Sequence, residues 1–268
     1  MLVWFRLAEL AVALAAYVAV DGIELGIGIL SGFAAKASWR DRMVTSMLPV
    51  EDRHGTSLVV AGTFLFGVFP AIYSIASPAL FVPLTTMLAG LIARHAASEF
   101  RRKAQAARPI WDHALFVGSL LAAFAQGVAI GTCAKGVPLD RVQYTGNEFA
   151  WASVFPLWCG IGAVLCYAML GAGWLAVDGA ADLQRFGCET LDRLTPPTIF
   201  VFAAMFVAAL ITHPLIEKRS PLHPALFVLP VLSAGRRSRR IGRSPRTRRI
   251  SDRPRFGAVP LMHNALSI

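Results

Sequence analysis

Residues 21 to 30 read DGIELGIGIL, and they lie inside an apolar run that starts near Leu2 and ends near Phe33. Two acids, Asp21 and Glu24, thus stand where hydrocarbon is the natural neighbour. Their setting is fixed by composition. Of 268 residues, 56% are hydrophobic and only 16% charged, and the mean hydropathy is +0.57. A soluble domain carries about 25% charged residues, so the chain is predicted to be an all-α, multi-pass transmembrane bundle. Stretches of about 20 apolar residues, enough to cross a hydrocarbon core roughly 30 Å thick, recur near Leu2 to Gly32, Leu58 to Ser77, Ala79 to Ala93, Ala114 to Cys133, Trp151 to Val177 and Thr198 to Ile216. The expectation is about six spans. The first is too long for a cleaved signal peptide and is expected to be retained.

The net charge of +10 is local. Residues 220 to 268 hold ten Arg and one Asp and so carry +9 of it. A stretch such as GRRSRRIGRSPRTRR cannot bury enough surface to fold, and the region is read as a solvated, disordered tail following a helical domain of residues 1 to 219. No nucleic-acid partner is inferred from it. The sequence contains no Gly-rich phosphate loop, no H-x-x-x-H pair and no C-x-x-C. Cys159 and Cys166 are seven apart and share a helix face, which suits small buried packing better than ligation. His95, His113 and His213 fall near predicted helix ends, and no metal site is expected.

Topology decides where the acids lie. The loops after the first, third and fifth spans contain Lys36, Arg40, Arg42, Arg53, Arg94, Arg101, Arg102, Lys103, Arg108, Arg185 and Arg193, against Arg6, Lys135 and Arg141 on the other side. The positive-inside rule then puts the N-terminus outside and Asp21 and Glu24 in the cytoplasmic half of the first helix. Three residues apart, the two acids share a face that Gly28 joins a turn later. Gly22 and Gly26 form a small-x-x-x-small pair that lets another helix approach closely. A carboxylate at such a depth costs several kcal/mol unless it is neutralised, paired or wetted, which suits Glu24 to exchange a proton. Asp52, Glu99 and Asp112 fall on the same side, and together the acids suggest a proton entry route.

DGIELGIGIL, DRMVTSMLPV, LFGVFPAIYS, ASEFRRK, WDHALFVGSLLAAFAQGVAIG, YTGNEF and YAMLGAGWLAV follow one another in an order and at a spacing that resemble subunit II of the cytochrome bd family of quinol oxidases, most closely its cyanide-insensitive branch. The resemblance runs from about Trp4 to Arg219. It implies a subunit of a bacterial inner-membrane oxidase that reduces oxygen to water with electrons from quinol. Haem b and haem d would be held by the partner, subunit I, and this chain would ligate no haem iron. It would brace subunit I, contact membrane lipid and contribute to a cytoplasmic proton path, with room left for small accessory subunits. Matched by position, Asp21 and Glu24 fall on the acids of the family's D-G-F-[DE]-L-G motif, Glu99 on that of [DE]-[FY]-R, Asp112 on that of W-D, and Gln126 on a recurrent Gln. The family's W-D-G-N-E segment falls on Glu51, Asp52, Arg53, His54 and Gly55, where only the Asp survives and Arg53 is expected to hold it ionised.

Family members continue to about eight helices, whereas the likeness here stops near Arg219. A reading-frame change near that residue would account for this and for an Arg-rich tail on the outer side. Two rival readings are an ion-coupled secondary transporter, which would show a matching broken helix in a second repeat, and an inert scaffold or decayed subunit.

Overall fold

The computed structural model describes residues 2–51, 63, 66, 67, 70–104, 107–136, 139, 140, 143–146, 149, 151–179 and 181–212. Among these it forms seven helices: α1 (Leu2–Phe33), α2 (Ala37–Glu51), α3 (Pro70–Ala79), α4 (Phe81–Lys103), α5 (Arg108–Lys135), α6 (Val154–Asp178) and α7 (Ala181–Thr212). The only strands described there are a two-residue antiparallel ribbon, β1 (Leu139–Asp140) on β2 (Gln143–Tyr144), in the connection from α5 to α6. The expected all-α architecture is therefore observed. The expected second span, 58 to 77, is described only in part, at 63, 66, 67 and 70–77, and the boundary at residue 219 and the tail lie wholly outside the described residues.

Helix α1 has no proline and runs unbroken for 32 residues, about 48 Å at 1.5 Å per residue. Helices α5 and α6 are each long and apolar enough to cross a membrane, and α3 with α4 counts as a third such segment if the two are one span. They meet at Leu80 with a bend of 80°. Pro83 supplies the cause: without an N–H it cannot bond the carbonyl of Ala79, so the helical ladder is interrupted where the axis turns.

Two expected loops are helical. Helix α2 was legible only as a charged connection, yet Met43, Val44 and Met47 recur on one face and are buried in the core. Helix α7 begins at Ala181 and passes through Pro196 and Pro197, so Arg185 and Arg193 sit on helix, not loop. The hydroxyls of Thr195 and Thr198 donate to the carbonyls of Leu191 and Leu194 on either side of that proline pair.

In the main core cluster α1 packs on α2, α5 and α6, while α4 packs on α5, α5 on α6, and α6 on α7; a smaller cluster joins Ala79 and Leu80 to Ala129. Small residues set the closest approaches. A Cβ on Gly26 would strike the Tyr167 carbonyl oxygen and lie 2.7 Å from the Gly171 nitrogen, so α1 and α6 touch backbone to backbone. Gly22 faces the Tyr167 ring, Gly28 faces Ser119, and Gly90 on α4 meets Gly118 on α5. Gly26→Ala is expected to destabilise the chain by about 1–3 kcal/mol, because backbone cannot yield as a side chain does. Gly173, with nothing within 4 Å of its added Cβ, is the control: there alanine is expected to be neutral or stabilising by up to about 1 kcal/mol. Thermal unfolding in detergent compares the two.

Candidate functional site: a buried ion cluster on α1 and α4

Helix α4 buries Met87, Gly90, Leu91, Arg94, Ala97, Ser98 and Arg101, in steps of three and four that mark one face. Arg94 is in the middle of that face and is 0% exposed. Its Nη2 donates to Glu24 Oε2 at 2.7 Å and lies 3.8 Å from Asp21 Oδ1. The two acids of α1 are themselves buried, at 2% and 9% exposure. This corrects the placement of Arg94 among the loop cations. A helix interior can hold a guanidinium when a carboxylate answers it, and the cost of desolvating either ion alone explains why they come together. Gly118 on α5 lets the α4 backbone come close here: a Cβ on it would lie 3.0 Å from the Arg94 backbone nitrogen.

Among the described residues, Nε and Nη1 of Arg94 have no protein partner, nor has the buried hydroxyl of Ser119, which faces Gly28 one turn along α1 from Glu24. The cluster therefore presents N–H and O–H donors, in addition to its ion pairs, to any small acceptor such as water. His95 is exposed; its Nδ1 lies 2.8 Å from the Leu91 carbonyl oxygen and its Nε2 3.5 Å from Arg94 Nη2. Beyond Asp21, the Tyr167 ring packs on Gly22, and its hydroxyl donates to Gln126 Oε1 at 2.7 Å, a buried bond between α6 and α5.

Glu99 and Asp112 stand apart from this cluster. Glu99 is half-exposed and accepts from Arg102 and from Lys103, the latter at 3.2 Å. Hydrogen bonds from Arg102 and then Lys103 hold its carboxyl below the usual carboxylate range. Asp112 accepts from Arg40 at 3.0 Å and from Arg101. Asp52 lies outside the described residues. Of the four predicted acids among the described residues, the structure thus brings Asp21 and Glu24 to one place. The partner that sequence reasoning missed is Arg94, and the small residues Gly90, Ala97 and Ser98 at helical spacing around it were the available signal. Cys159 is buried and unpaired, and among the described residues no three His, Cys, Asp or Glu side chains come together as metal ligands.

The guanidinium keeps its charge and fixes the positions of the two carboxylates beside it. Comparison with known proteins gives this arrangement its context. The chain is 30% identical over 209 residues to cytochrome bd-I ubiquinol oxidase subunit 2 of Escherichia coli, covering 75% of this chain and 55% of that protein. It is 30% identical over 190 residues to the probable cytochrome oxidase subunit 2 of Haemophilus influenzae, covering 68% and 50%. It is 24% identical over 209 residues to cytochrome bd ubiquinol oxidase subunit 2 of Bacillus subtilis, covering 76% and 61%. The chain therefore spans between half and about three fifths of the length of these relatives. In fold it is similar to the solved bd oxidase of Geobacillus thermodenitrificans, with a TM-score of 0.56 at 19% identity over 78% of this chain and 64% of that one. The family described as cytochrome bd terminal oxidase subunit II matches residues 1–251, which reaches past Arg219, and this chain belongs to that family.

Proposed function

We propose that the chain acts as subunit II of a quinol:oxygen oxidoreductase in a bacterial inner membrane, paired with a haem-bearing subunit I. Electrons would pass from quinol to haem b and haem d within that partner, and the haems supply the redox chemistry. This chain contributes shape and protons. Glu24 is the inner station of the path, with Asp21 beside it, and Asp52 and Glu99 are stations toward the cytoplasm. Quinol serves as substrate of the complex, and lipid and small accessory subunits complete the surroundings.

The observation that carries this reading is the buried Glu24–Arg94–Asp21 cluster, held on two helices of a chain from this family. Arg94 holds the two carboxylates in place, 2.7 Å and 3.8 Å from one guanidinium nitrogen, and all three side chains are buried. A charged pair of this kind is retained inside a membrane protein chiefly where an ion or proton passes. Neither the transporter reading nor the scaffold reading gains a specific observation. Co-expression with subunit I provides the test. The expected result is a co-purifying haem-bearing partner whose membranes consume oxygen when quinol is supplied; a stable chain that never retains such a partner would refute the reading.

A further inference from the structure

Helix α2 is charged along its outer side and apolar beneath, and its first turn carries Arg40 and Asp41 side by side. The two point their charges to different helices. Arg40 Nη1 donates to Asp112 Oδ2 on α5 at 3.0 Å, and Asp41 Oδ1 accepts from Arg101 Nη2 on α4 at 2.6 Å. Arg108, the first residue of α5, lies 3.6 Å from the other Asp41 oxygen. Arg101 closes the set by donating from Nε to Asp112 Oδ1. Three guanidinium groups and two carboxylates from three helices are thereby joined end to end.

Exposed ion pairs contribute little, so burial decides whether this set matters. Arg101 is 5% exposed, and the Asp112 side chain 12%. Both Asp112 oxygens are engaged by separate arginines, a geometry that fixes orientation as well as charge.

We propose that Asp112 is a positioning residue, the keystone of a charge latch that ties α2 across the ends of α4 and α5. The apolar face of α2, through Met43, Val44 and Met47, grips the core from below, and the latch prevents it from sliding or swinging away. Its C-terminus, Glu51, immediately precedes Asp52 in the chain, so the latch fixes the end of α2 that comes just before that acid. The effect on turnover rests on the oxidase reading; the latch itself does not.

Nitroxide labels at the exposed Thr45 on α2 and His113 on α5, with Cys133 and Cys188 replaced by serine, would report the distance between these helices in the complex with subunit I. The unmodified latch should give one narrow distribution. Asp112→Asn and Arg40→Gln should each broaden it and lower turnover by on the order of tenfold, at unchanged haem content. The double variant should be no worse than either single one, and Arg40→Lys should restore the narrow distribution. Arg40 is the least buried partner of Asp112, so its variant is informative even where Asp112→Asn assembles poorly. An unchanged distribution in the Arg40→Gln protein would overturn the latch whatever the turnover. A broadened distribution with full turnover would overturn the positioning role. A parent complex with no quinol-driven oxygen consumption would count against the oxidase reading instead, with the label distances still deciding the latch.

Discussion

Arg94→Leu is expected to prevent the chain from accumulating in an assembled complex. The guanidinium is fully buried, and Glu24, its partner at 2.7 Å, is nearly so. Removing one ion of a buried pair costs about 3–5 kcal/mol, because the other keeps its desolvation penalty without its nearest counter-charge. Most domains have a total stability of only about 5–15 kcal/mol, so a loss of that size is large. Leucine fills much of the volume, which separates the electrostatic effect from a cavity. The double variant Arg94→Leu with Glu24→Gln removes both charges and is expected to recover much of the lost assembly while leaving turnover low. Yield of the two-chain complex after detergent extraction, with its thermal midpoint, measures both. Recovery of neither assembly nor midpoint in the double variant would show that Arg94 contributes by something other than answering Glu24.

Glu24→Gln is the second large effect. Glutamine preserves the shape and accepts the Arg94 hydrogen bond through its carbonyl oxygen, but it carries no exchangeable acid proton. Oxygen consumption at saturating quinol is expected to fall at least about tenfold at equal haem content, in keeping with the contribution of a positioned acid or base. Asp21→Asn should have a smaller effect, since Asp21 stands 3.8 Å from the guanidinium and is the more exposed of the two. Equal losses from the two would mean that they act as one unit.

Apolar helices were legible in the sequence because their signal is local. The runs expected at Leu2 to Gly32, Ala114 to Cys133 and Trp151 to Val177 correspond closely to α1, α5 and α6. Helix α2 escaped because ASWRDRMVTSMLPVE is polar on average, and only packing of Met43, Val44 and Met47 on the core reveals its inner face. The first half of α7 escaped for a related reason, with Pro196 and Pro197 reading as a stop where the helix continues. Arg94 shows the limit most clearly. Its apolar run ends at Ala93, so by hydropathy it begins a loop, whereas its meaning comes from Glu24, 70 positions away in sequence. Asp112 likewise reads as one acid among several until Arg40 and Arg101 are seen on its two oxygens. Spacing placed Asp21 and Glu24 on one face; no local pattern could supply the cation opposite them.

Proton uptake during a single reaction with oxygen, followed by a pH-indicator dye in the purified two-chain complex, addresses the central claim most directly. With Glu24→Gln, the expected result is unchanged haem content and quinol reduction of the haems, but proton uptake slowed in step with oxygen reduction. Uptake at the parent rate in that variant would contradict the assignment of Glu24 to the proton path.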